Sequence, residues 1–345
     1  IAVIPLYVEE RRDRLGTFRV LSNLGYGAVV HPDFLDALVE KGAEAEVAEA
    51  LRGPLAEDDS WDHAELSDLE PQGSFVRIGH QLADELHWDM TLERRSLCPT
   101  IRLPDTFEEY LAWQNPHFRQ QLRRYRRKIE KDLRVEWKRV GEDVDVGTGM
   151  LAITRLHQER MEATARGGNF RKRDYREFHR DLAERMNASG ELFFWLLYSE
   201  AQPIATHYGL LSGGVYYGYQ MGFSPRYQKW SPGHYMTGTV LEMLIERGAH
   251  EMNLLRGDDP WKLRWTQDKR HTVTLALVSP GLPSRLSWVR SNLNQPPPIA
   301  LRFLMGRDSF DEIRAAWKGS RAWLRAPGSP PRGPARGGGK GPVEK

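Results

Sequence analysis

The chain has 345 residues, with 49 lysines and arginines against 47 aspartates and glutamates, a formal net charge of +2. This length allows two domains of ordinary size, and the near balance of charge does not mark the whole chain as a nucleic-acid-binding protein. The single cysteine, Cys98, excludes an internal disulfide and any metal site built from several cysteines, and it favours a cytoplasmic location. The longest apolar run, Leu192–Tyr198, is far shorter than the ~20 residues that span a bilayer.

Strand and helix patterns alternate through the first part of the chain. Strands are predicted at Ile1–Val8, Phe18–Leu24, Trp61–Leu69, Trp88–Glu93 and Pro99–Leu103. Helices are predicted at Phe34–Lys41, Ala45–Leu51 and Ser74–Leu86. The chain opens within a strand pattern and not at a methionine, so we expect the first domain to lack its beginning.

Two helices are predicted over residues 105–134, and the second carries the densest charge in the chain. Phe118, Leu122 and Ile129 recur at helical spacing with other apolar residues and predict one buried stripe. The opposite face is rich in arginine. Its simplest interpretation is a solvated helix surface, and the alternative is an electrostatic surface for an anionic substrate or RNA.

The order of predicted elements becomes regular from Arg134 onward. Strands are predicted at Arg134–Val140, Glu191–Ser199, Pro203–Leu211, Gly214–Phe223, Glu251–Leu255 and Thr272–Val278. Helices are predicted at Met150–Ala165, Asp174–Asn187, after Ser231 and, as a short piece, around Asp259–Thr266. Two further helical stretches flank Pro296–Pro298, and the glycine- and proline-rich tail is expected to be disordered.

The stretch Tyr227–Met236, YQKWSPGHYM, connects an aromatic strand to a long amphipathic helix. Ser231 suits the N-cap, and Pro232 suits the first helical position, where a missing N–H costs nothing. The preceding strand, Gly214–Phe223, contains glycines that allow another backbone or a ligand to approach closely. Free amides at a helix N-terminus beside Lys229 attract an anion, above all a phosphate. We therefore expect a phosphate site, and the simpler alternative is an ordinary helix cap.

The element order and four passages resemble the GNAT superfamily of N-acetyltransferases. The passages are Cys98–Pro104, Phe118–Ile129, Tyr219–Gly233 and Leu255–Trp265, and the pair Trp61-Asp62 also fits. The sequences of these passages are similar to those of the Fem-like, CelD-type branch. This branch comprises bacterial proteins described as acetyltransferases of cellulose or exopolysaccharide biosynthesis. The resemblance spans about Cys98–Trp265.

The resemblance implies an α+β fold of two GNAT-like domains in tandem, each a mixed central sheet flanked by helices. The first, residues 1–133, would be an incomplete half that ends in the basic helix pair over 105–134. The second, 134–283, would be the acyltransferase domain. Residues 284–325 would form C-terminal helices, and 326–345 the disordered tail.

The resemblance also implies how an acyl-CoA donor binds. Met221, Gly222 and Phe223 would line the pantetheine arm. The diphosphate would lie against Lys229, Trp230, Ser231, Gly233, His234 and Tyr235. The usual GNAT loop reads Arg/Gln-x-x-Gly-x-Gly/Ala, but Trp230 stands at its first position and Tyr235 at its last. Because Fem-type proteins use aminoacyl-tRNA on the same fold, this departure leaves the donor open.

Acyl transfer by direct attack in a ternary complex is the simplest chemistry for the chain, because it has no nucleophile elbow, Walker loop or zinc motif. Lys262 matches the lysine of the Fem-like pattern and would stabilise negative charge. Asp258 would orient an amine, and His207 and Tyr219 are the candidate base and acid. The alternatives are structural: Asp258 as a helix cap, Lys262 on a surface, and His207 as a buried strand residue.

Trp61 and Asp62 are candidates for binding the acceptor in a groove between the two halves, with a polar edge residue as the commoner alternative. No histidine spacing indicates a metal. The interpretation is a cytoplasmic bacterial acyltransferase, not an aminoacyltransferase, that moves an acyl group from acetyl-CoA or another acyl-CoA to an amine or hydroxyl. The acceptor would be a sugar, a cell-envelope precursor or a small metabolite. The alternatives are a Fem-like aminoacyltransferase that uses charged tRNA, and a binding module that has lost the chemistry.

Overall fold

The computed structural model describes residues 2–14, 16–25, 30, 32–163 and 167–292. The strands are β1 Ala2–Val3, β2 Leu6–Asp13, β3 Gly16–Asn23, β4 Leu38–Val39, β5 His63–Leu69, β6 Asp89–Arg102, β7 Val135–Arg139, β8 Leu192–Ser199, β9 Gln202–Ser212, β10 Val215–Phe223, β11 Glu251–Asn253 and β12 Lys269–Val278. The helices are α1 Glu44–Glu57, α2 Ser74–Leu86, α3 Phe107–Trp113, α4 Pro116–Asp132, α5 Val146–Ala163, α6 Arg173–Ala188, α7 Pro232–Glu246 and α8 Leu282–Ser291.

Ten of these strands form one mixed sheet in the order β2-β3-β5-β12-β6-β11-β10-β9-β8-β7. Apolar residues of α3, α4 and α7 pack with one face of the β8–β10 region. Residues of α5 and α6 pack with the other face. Towards the opposite end of the sheet, α2 and α8 pack against β12 and its neighbours. The protein therefore has the mixed α+β architecture, with a mixed central sheet flanked by helices, that the resemblance implies.

The strand order crosses the predicted domain boundary. β12, from the later part of the chain, lies between β5 and β6 and is antiparallel to both. The predicted division at residues 133 and 134, and the further boundaries at 283 and 325, stay predictions. Ile1 and residues beyond 292, which include the second predicted C-terminal helix and the tail, lie outside the described residues.

Two local predictions in the first part of the chain are wrong. The segment Phe34–Lys41 is not a helix. Phe34 has a left-handed backbone with φ 58°, and the Leu35 N–H donates to the Asp68 carbonyl at 2.9 Å, which fixes the segment beside the end of β5. The predicted gap between Glu93 and Pro99 is also absent, because β6 continues through it while pairing with β12.

Gly222 in β10 is required for the packing of α5 against the sheet. A Cβ atom at this position would lie 2.8 Å from the backbone nitrogen of His157 and 2.9 Å from the carbonyl carbon of Leu156. Those neighbours belong to helix backbone and cannot move like the end of a flexible side chain. The strand and α5 can therefore approach this closely because residue 222 has no side chain.

Gly222→Ala is expected to lower the free energy of unfolding by about 1–3 kcal/mol, because it overpacks this contact. Gly53→Ala is the matched control, since a Cβ there meets no atom within 4 Å inside α1. It should stabilise the protein by roughly 0.5–1 kcal/mol, because alanine lowers the conformational entropy of the unfolded chain. Thermal unfolding of both variants checks the pair. Equal midpoints would contradict the packing role of Gly222.

Candidate functional site

The chain passes from β10 into α7 through a short 3₁₀ turn at Pro225–Trp230. Pro232 occupies the first helical position and Ser231 the N-cap, as the sequence predicts. The Ser231 side chain makes no capping hydrogen bond, however, because its backbone is left-handed, with φ 55° and ψ 50°. The amides of His234 and Tyr235 both donate to the Ser231 carbonyl oxygen. Within the described residues, the Gly233 N–H is the amide of this first turn left without an acceptor.

β10 and β11 are parallel neighbours that part after three residue pairs. Their register joins Val215–Tyr217 to Glu251–Asn253, and no described strand pairs with this edge of β10 farther along. The segment after β11 stays with β6: the N–H of Leu254 donates to Pro99 and that of Gly257 to Leu97, both at 2.9 Å. We call the opening between β10 and this segment the crevice.

A buried lysine stabilises the segment after β11, which forms the side of the crevice opposite β10. Leu255 and Gly257 have positive φ angles of 55° and 112°, which turn the chain sharply. The Nζ atom of Lys262 donates to the Leu255 carbonyl oxygen at 3.1 Å and to that of Arg256. Lys262 thus donates hydrogen bonds to two carbonyl groups that would pair with a neighbouring strand if the sheet continued here.

Two cavities, each of about 330 Å³, lie along the crevice. The inner cavity is bounded by Gly218–Met221 on one side and Leu254–Arg256 on the other. The outer cavity reaches the start of α7 at Ser231–His234. Both are lined by Arg160, Met221 and Trp261, so they adjoin each other along the crevice, and the two cavities together are called the path. The path leads from the free Gly233 amide to the point where the two strands part.

The first half of the sheet contains a comparable pair of parallel strands, but there the opening is closed. β3 and β5 pair only at Val20–Leu21 with His63–Ala64. Beyond these pairs the Asn23 side chain donates to the Ser67 carbonyl at 3.0 Å and accepts from its N–H at 2.7 Å. The Asn23 amide therefore occupies the backbone groups that a ligand would use.

Five of the predicted donor-binding residues line the outer cavity, and the others do not. Those that line it are Met221, Phe223, Ser231, Gly233 and His234. Gly222 faces α5 instead, because successive strand residues point to opposite faces.

Lys229, Trp230 and Tyr235 contact α4 and not the crevice. The Trp230 indole N–H donates to Asp132 at 3.0 Å, and the Tyr235 hydroxyl donates to Glu130 at 3.2 Å. The side chain of Lys229 is exposed, and its backbone carbonyl oxygen accepts a hydrogen bond from Nζ of Lys128 in α4 at 2.6 Å. These three residues anchor the turn to α4.

Three of the four predicted catalytic residues meet in the inner cavity. Lys262, His207 and Tyr219 line it, whereas Asp258 is exposed and its neighbour Asp259 lines the cavity instead. Sequence analysis also missed Asp33, Tyr175, Arg160 and Arg256, which line the same cavity. Asp33, Tyr175 and Arg160 lie in segments that carry no motif, and only the tertiary structure brings them to the crevice. Arg256 lies within the Leu255–Trp265 passage, but its own side chain was not singled out.

Burial and charge set the protonation of the inner cavity. Burial lowers the pKa of Lys262, and the pull of Asp259 opposes this only in part. Burial raises the pKa of Asp33, against the lowering effect of the Arg256 guanidinium, whose Nε lies 2.7 Å away. The same guanidinium lies 3.2 Å from the carboxylate of Asp68. Arg256 thus ties the crevice wall to two carboxylates of the first half.

Two tyrosines and a histidine form the polar wall of the inner cavity. The Tyr175 hydroxyl donates to that of Tyr219 at 3.2 Å, and burial raises the pKa of both phenols. The imidazole of His207 is 2 % exposed, and burial lowers its pKa to about 4. His207 is therefore neutral at physiological pH.

Trp61 and Asp62, the predicted acceptor-binding pair, have structural contacts and line neither cavity. Trp61 is buried and packs edge-on against Trp88 at 5.8 Å between ring centroids. Asp62 accepts from the Arg19 backbone N–H at 2.6 Å and so joins the start of β5 to β3. Their predicted role stays a prediction.

Among the residues that the structure describes, no group of three or more His, Cys, Asp or Glu side chains could hold a metal ion. None of the described helices is both long and apolar enough to cross a bilayer.

Lys262→Met is expected to change how stability depends on pH. Because burial lowers the pKa of Lys262 in the folded state, the unfolded chain binds more protons below the ordinary lysine pKa of 10.5. The free energy of unfolding of the wild type should therefore rise, relative to that of the variant, as the pH increases towards that value. Urea unfolding between about pH 7 and 9.5 measures this. Lys229→Met controls for the loss of one positive charge, and parallel curves for wild type and Lys262→Met would contradict the assignment.

Comparisons with known proteins show what the fold is similar to. Residues 116–263 match the family described as the acetyltransferase (GNAT) domain. The fold is similar to the crystal structure of FemX, with a TM-score of 0.51 and 10% identity over 79% of this chain and 88% of that chain. It is also similar to the C-terminal domain of a putative lysylphosphatidylglycerol synthetase from Agrobacterium fabrum, with a TM-score of 0.50 and 10% identity over 83% of this chain and 88% of that chain. No curated protein matches the sequence. The chain thus has a GNAT-like fold, and the segment that forms most of the crevice matches the GNAT acetyltransferase domain.

Proposed function

We propose that the protein is an acyltransferase that uses acetyl-CoA or another acyl-CoA as donor. The observation that carries this proposal is the path of two adjoining cavities, from the Gly233 amide to the place where the two strands part. A molecule that fills this path must be long, thin and anionic at one end. Acyl-CoA has this shape, with a diphosphate at one end of an extended amide-containing arm and a thioester at the other.

The backbone of β10 is suited to the arm of such a donor. Beyond Tyr217 the edge of the strand towards the crevice has no strand partner among the described residues, so alternate N–H and C=O groups face the crevice. An extended ligand with amide groups can pair with such an edge as an added strand does. Arg160 supplies positive charge along the path, with its guanidinium carbon 5.2 Å from the ring centroid of Phe223.

The inner cavity holds groups suited to acyl transfer by direct attack. An amine or hydroxyl of the acceptor attacks the thioester carbon, the C–S bond breaks, and the proton lost by the nucleophile ends on the released thiol. Two donors of the Lys262 ammonium are used by carbonyl groups, and the third remains for negative charge on the intermediate or the thiolate. Asp259 supplies a carboxylate for an acceptor amine.

The acceptor class rests on resemblance alone. The Fem-like, CelD-type resemblance points to a sugar or cell-envelope precursor in a bacterial cytoplasm, and we extend the proposal to that class. A binding module that has lost the chemistry would keep the crevice but show no turnover.

A second candidate function is supported by the charge of α4. Arg123, Arg124, Arg127 and Lys128 are exposed on this helix, and Tyr125 stacks on His234 with 5.3 Å between ring centroids. The basic face therefore lies next to the start of α7. An aminoacyl-tRNA donor would use it for its phosphates, as the Fem-like resemblance implies.

Gly233→Trp is expected to weaken acetyl-CoA binding more than tenfold, with the wild type binding in the micromolar range as measured by titration calorimetry. A Cβ at Gly233 would lie 3.5 Å from the Phe223 ring, so a small side chain fits but an indole fills the outer cavity. Glu246→Trp places the same side chain at the exposed far end of α7 and should bind like the wild type.

Two outcomes would overturn the acyl-CoA proposal. Binding of tRNA with a steep salt dependence, and none of acetyl-CoA, would favour the aminoacyl-tRNA donor. Equal affinity of Gly233→Trp and wild type for acetyl-CoA would show that the donor binds elsewhere.

A further inference from the structure

The β9–β10 hairpin holds a buried histidine and tyrosine in contact at the closed end of the crevice. The Nδ1 atom of His207 lies 2.7 Å from the hydroxyl oxygen of Tyr216. Both side chains are almost fully buried, and His207 lines the inner cavity beside Gly218. Gly218 directly follows Tyr217, the last residue of β10 that pairs with β11. The pair therefore lies where a thioester carried along the crevice would end.

Two glycines make room for this pair. A Cβ at Gly209 would lie 2.4 Å from the Tyr216 hydroxyl oxygen, so the tyrosine ring crosses the place where residue 209 would have a side chain. A Cβ at Gly218 would lie 3.3 Å from the Tyr216 ring and 3.5 Å from Cε1 of His207. The spacings His-x-Gly in β9 and Tyr-x-Gly in β10 thus build one arrangement across the hairpin.

The hydrogen bonds of the pair decide which nitrogen of His207 carries the proton. The Tyr216 hydroxyl has no other partner, and Nε2 of His207 has none, within the described part of the chain. If the imidazole donated from Nδ1, the Tyr216 O–H and the Nε2 lone pair would both be unsatisfied. If Tyr216 donates to Nδ1, only the Nε2–H is unsatisfied. Because each unsatisfied buried group costs free energy, the second arrangement is favoured.

We propose that His207, held by Tyr216 as the Nε2–H tautomer, donates a hydrogen bond to the carbonyl oxygen of the donor's thioester. This proposal rests on the proposed acyl-CoA function and replaces the role of general base that the sequence suggested. His207 would touch the reacting group, whereas Tyr216 is a positioning residue that acts through it. No proton leaves His207 during transfer, and its N–H···O bond strengthens as negative charge develops on that oxygen.

The electrostatic surroundings support a neutral donor. Burial keeps the imidazole uncharged, and no charged group contributes to this effect. The charged side chains that share the inner cavity are Asp33, Arg160, Arg256, Asp259 and Lys262. A base with such a low pKa would accept a proton poorly at neutral pH. A neutral imidazole N–H is nevertheless an effective partner for a carbonyl group that is being polarised.

The tautomer can be measured in the full chain without any ligand. NMR of protein labelled with ¹⁵N-histidine, with His207 assigned by its loss in His207→Gln, should show protonated Nε2 and bare Nδ1 between about pH 5 and 8. A protonated Nδ1, or conversion to the imidazolium in that range, would overturn the proposal.

The contact with the donor can be measured by infrared spectroscopy with acetyl-CoA that carries ¹³C at the thioester carbonyl. In the wild type the carbonyl band should lie at a lower wavenumber than in His207→Leu. His207→Gln, which retains an N–H donor, should keep most of the displacement. Tyr216→Phe should lose part of it, and Tyr208→Phe is the matched control because its hydroxyl contacts His179 and not His207.

The outcomes separate this proposal from the one on which it rests. If acetyl-CoA does not bind the wild type, both are overturned. If acetyl-CoA binds all variants and the carbonyl band is the same in wild type and His207→Leu, the donor site stands and the role of His207 falls.

Discussion

The site depends on one constraint: the segment after β11 remains hydrogen-bonded to β6 and therefore leaves β10. Leu254 and Gly257 donate to β6, and the left-handed backbone at Leu255 turns the chain further away. This bend exposes carbonyl groups that must be satisfied in a buried place, and the ammonium of Lys262 does so. The crevice, its unpaired strand edge and the inner cavity all follow from that separation.

The same constraint explains why the two halves of the sheet differ. Each half contains a pair of parallel strands that part after a short stretch. In the first half the Asn23 amide fills the opening with two hydrogen bonds to Ser67, so its backbone is satisfied without a ligand. In the second half the position next to the last pair is Gly218, which has no side chain to fill the opening. A polar side chain thus closes the first opening, whereas the second opening holds a cavity.

Local pattern in the sequence was sufficient where the periodicity was strong and contacts were short-range. The helix after Ser231 and the three strands before it follow from apolar spacing and glycine turns, and the structure has them. The prediction of a helix at Phe34–Lys41 was wrong because that segment is held by a distant partner, Asp68. The same limit applies to the candidate site. The junction at Gly233 has a local signal, but Asp33 and Arg160 reach the crevice only through the tertiary fold.

Side-chain direction is the second reason why the sequence did not predict which residues line the cavities. The positions of a helix start and a strand end predict which residues are near a ligand. However, half of the side chains of a strand, and most of those of a helix, point away from any one site. Gly222 meets α5 and Tyr235 meets α4, while their neighbours Met221 and His234 line the outer cavity. On β9 the side chain that faces the crevice is His207. Its partner Tyr216 lies across the hairpin, so the hydrogen bond between the two side chains becomes visible only once the register of β9 and β10 is known.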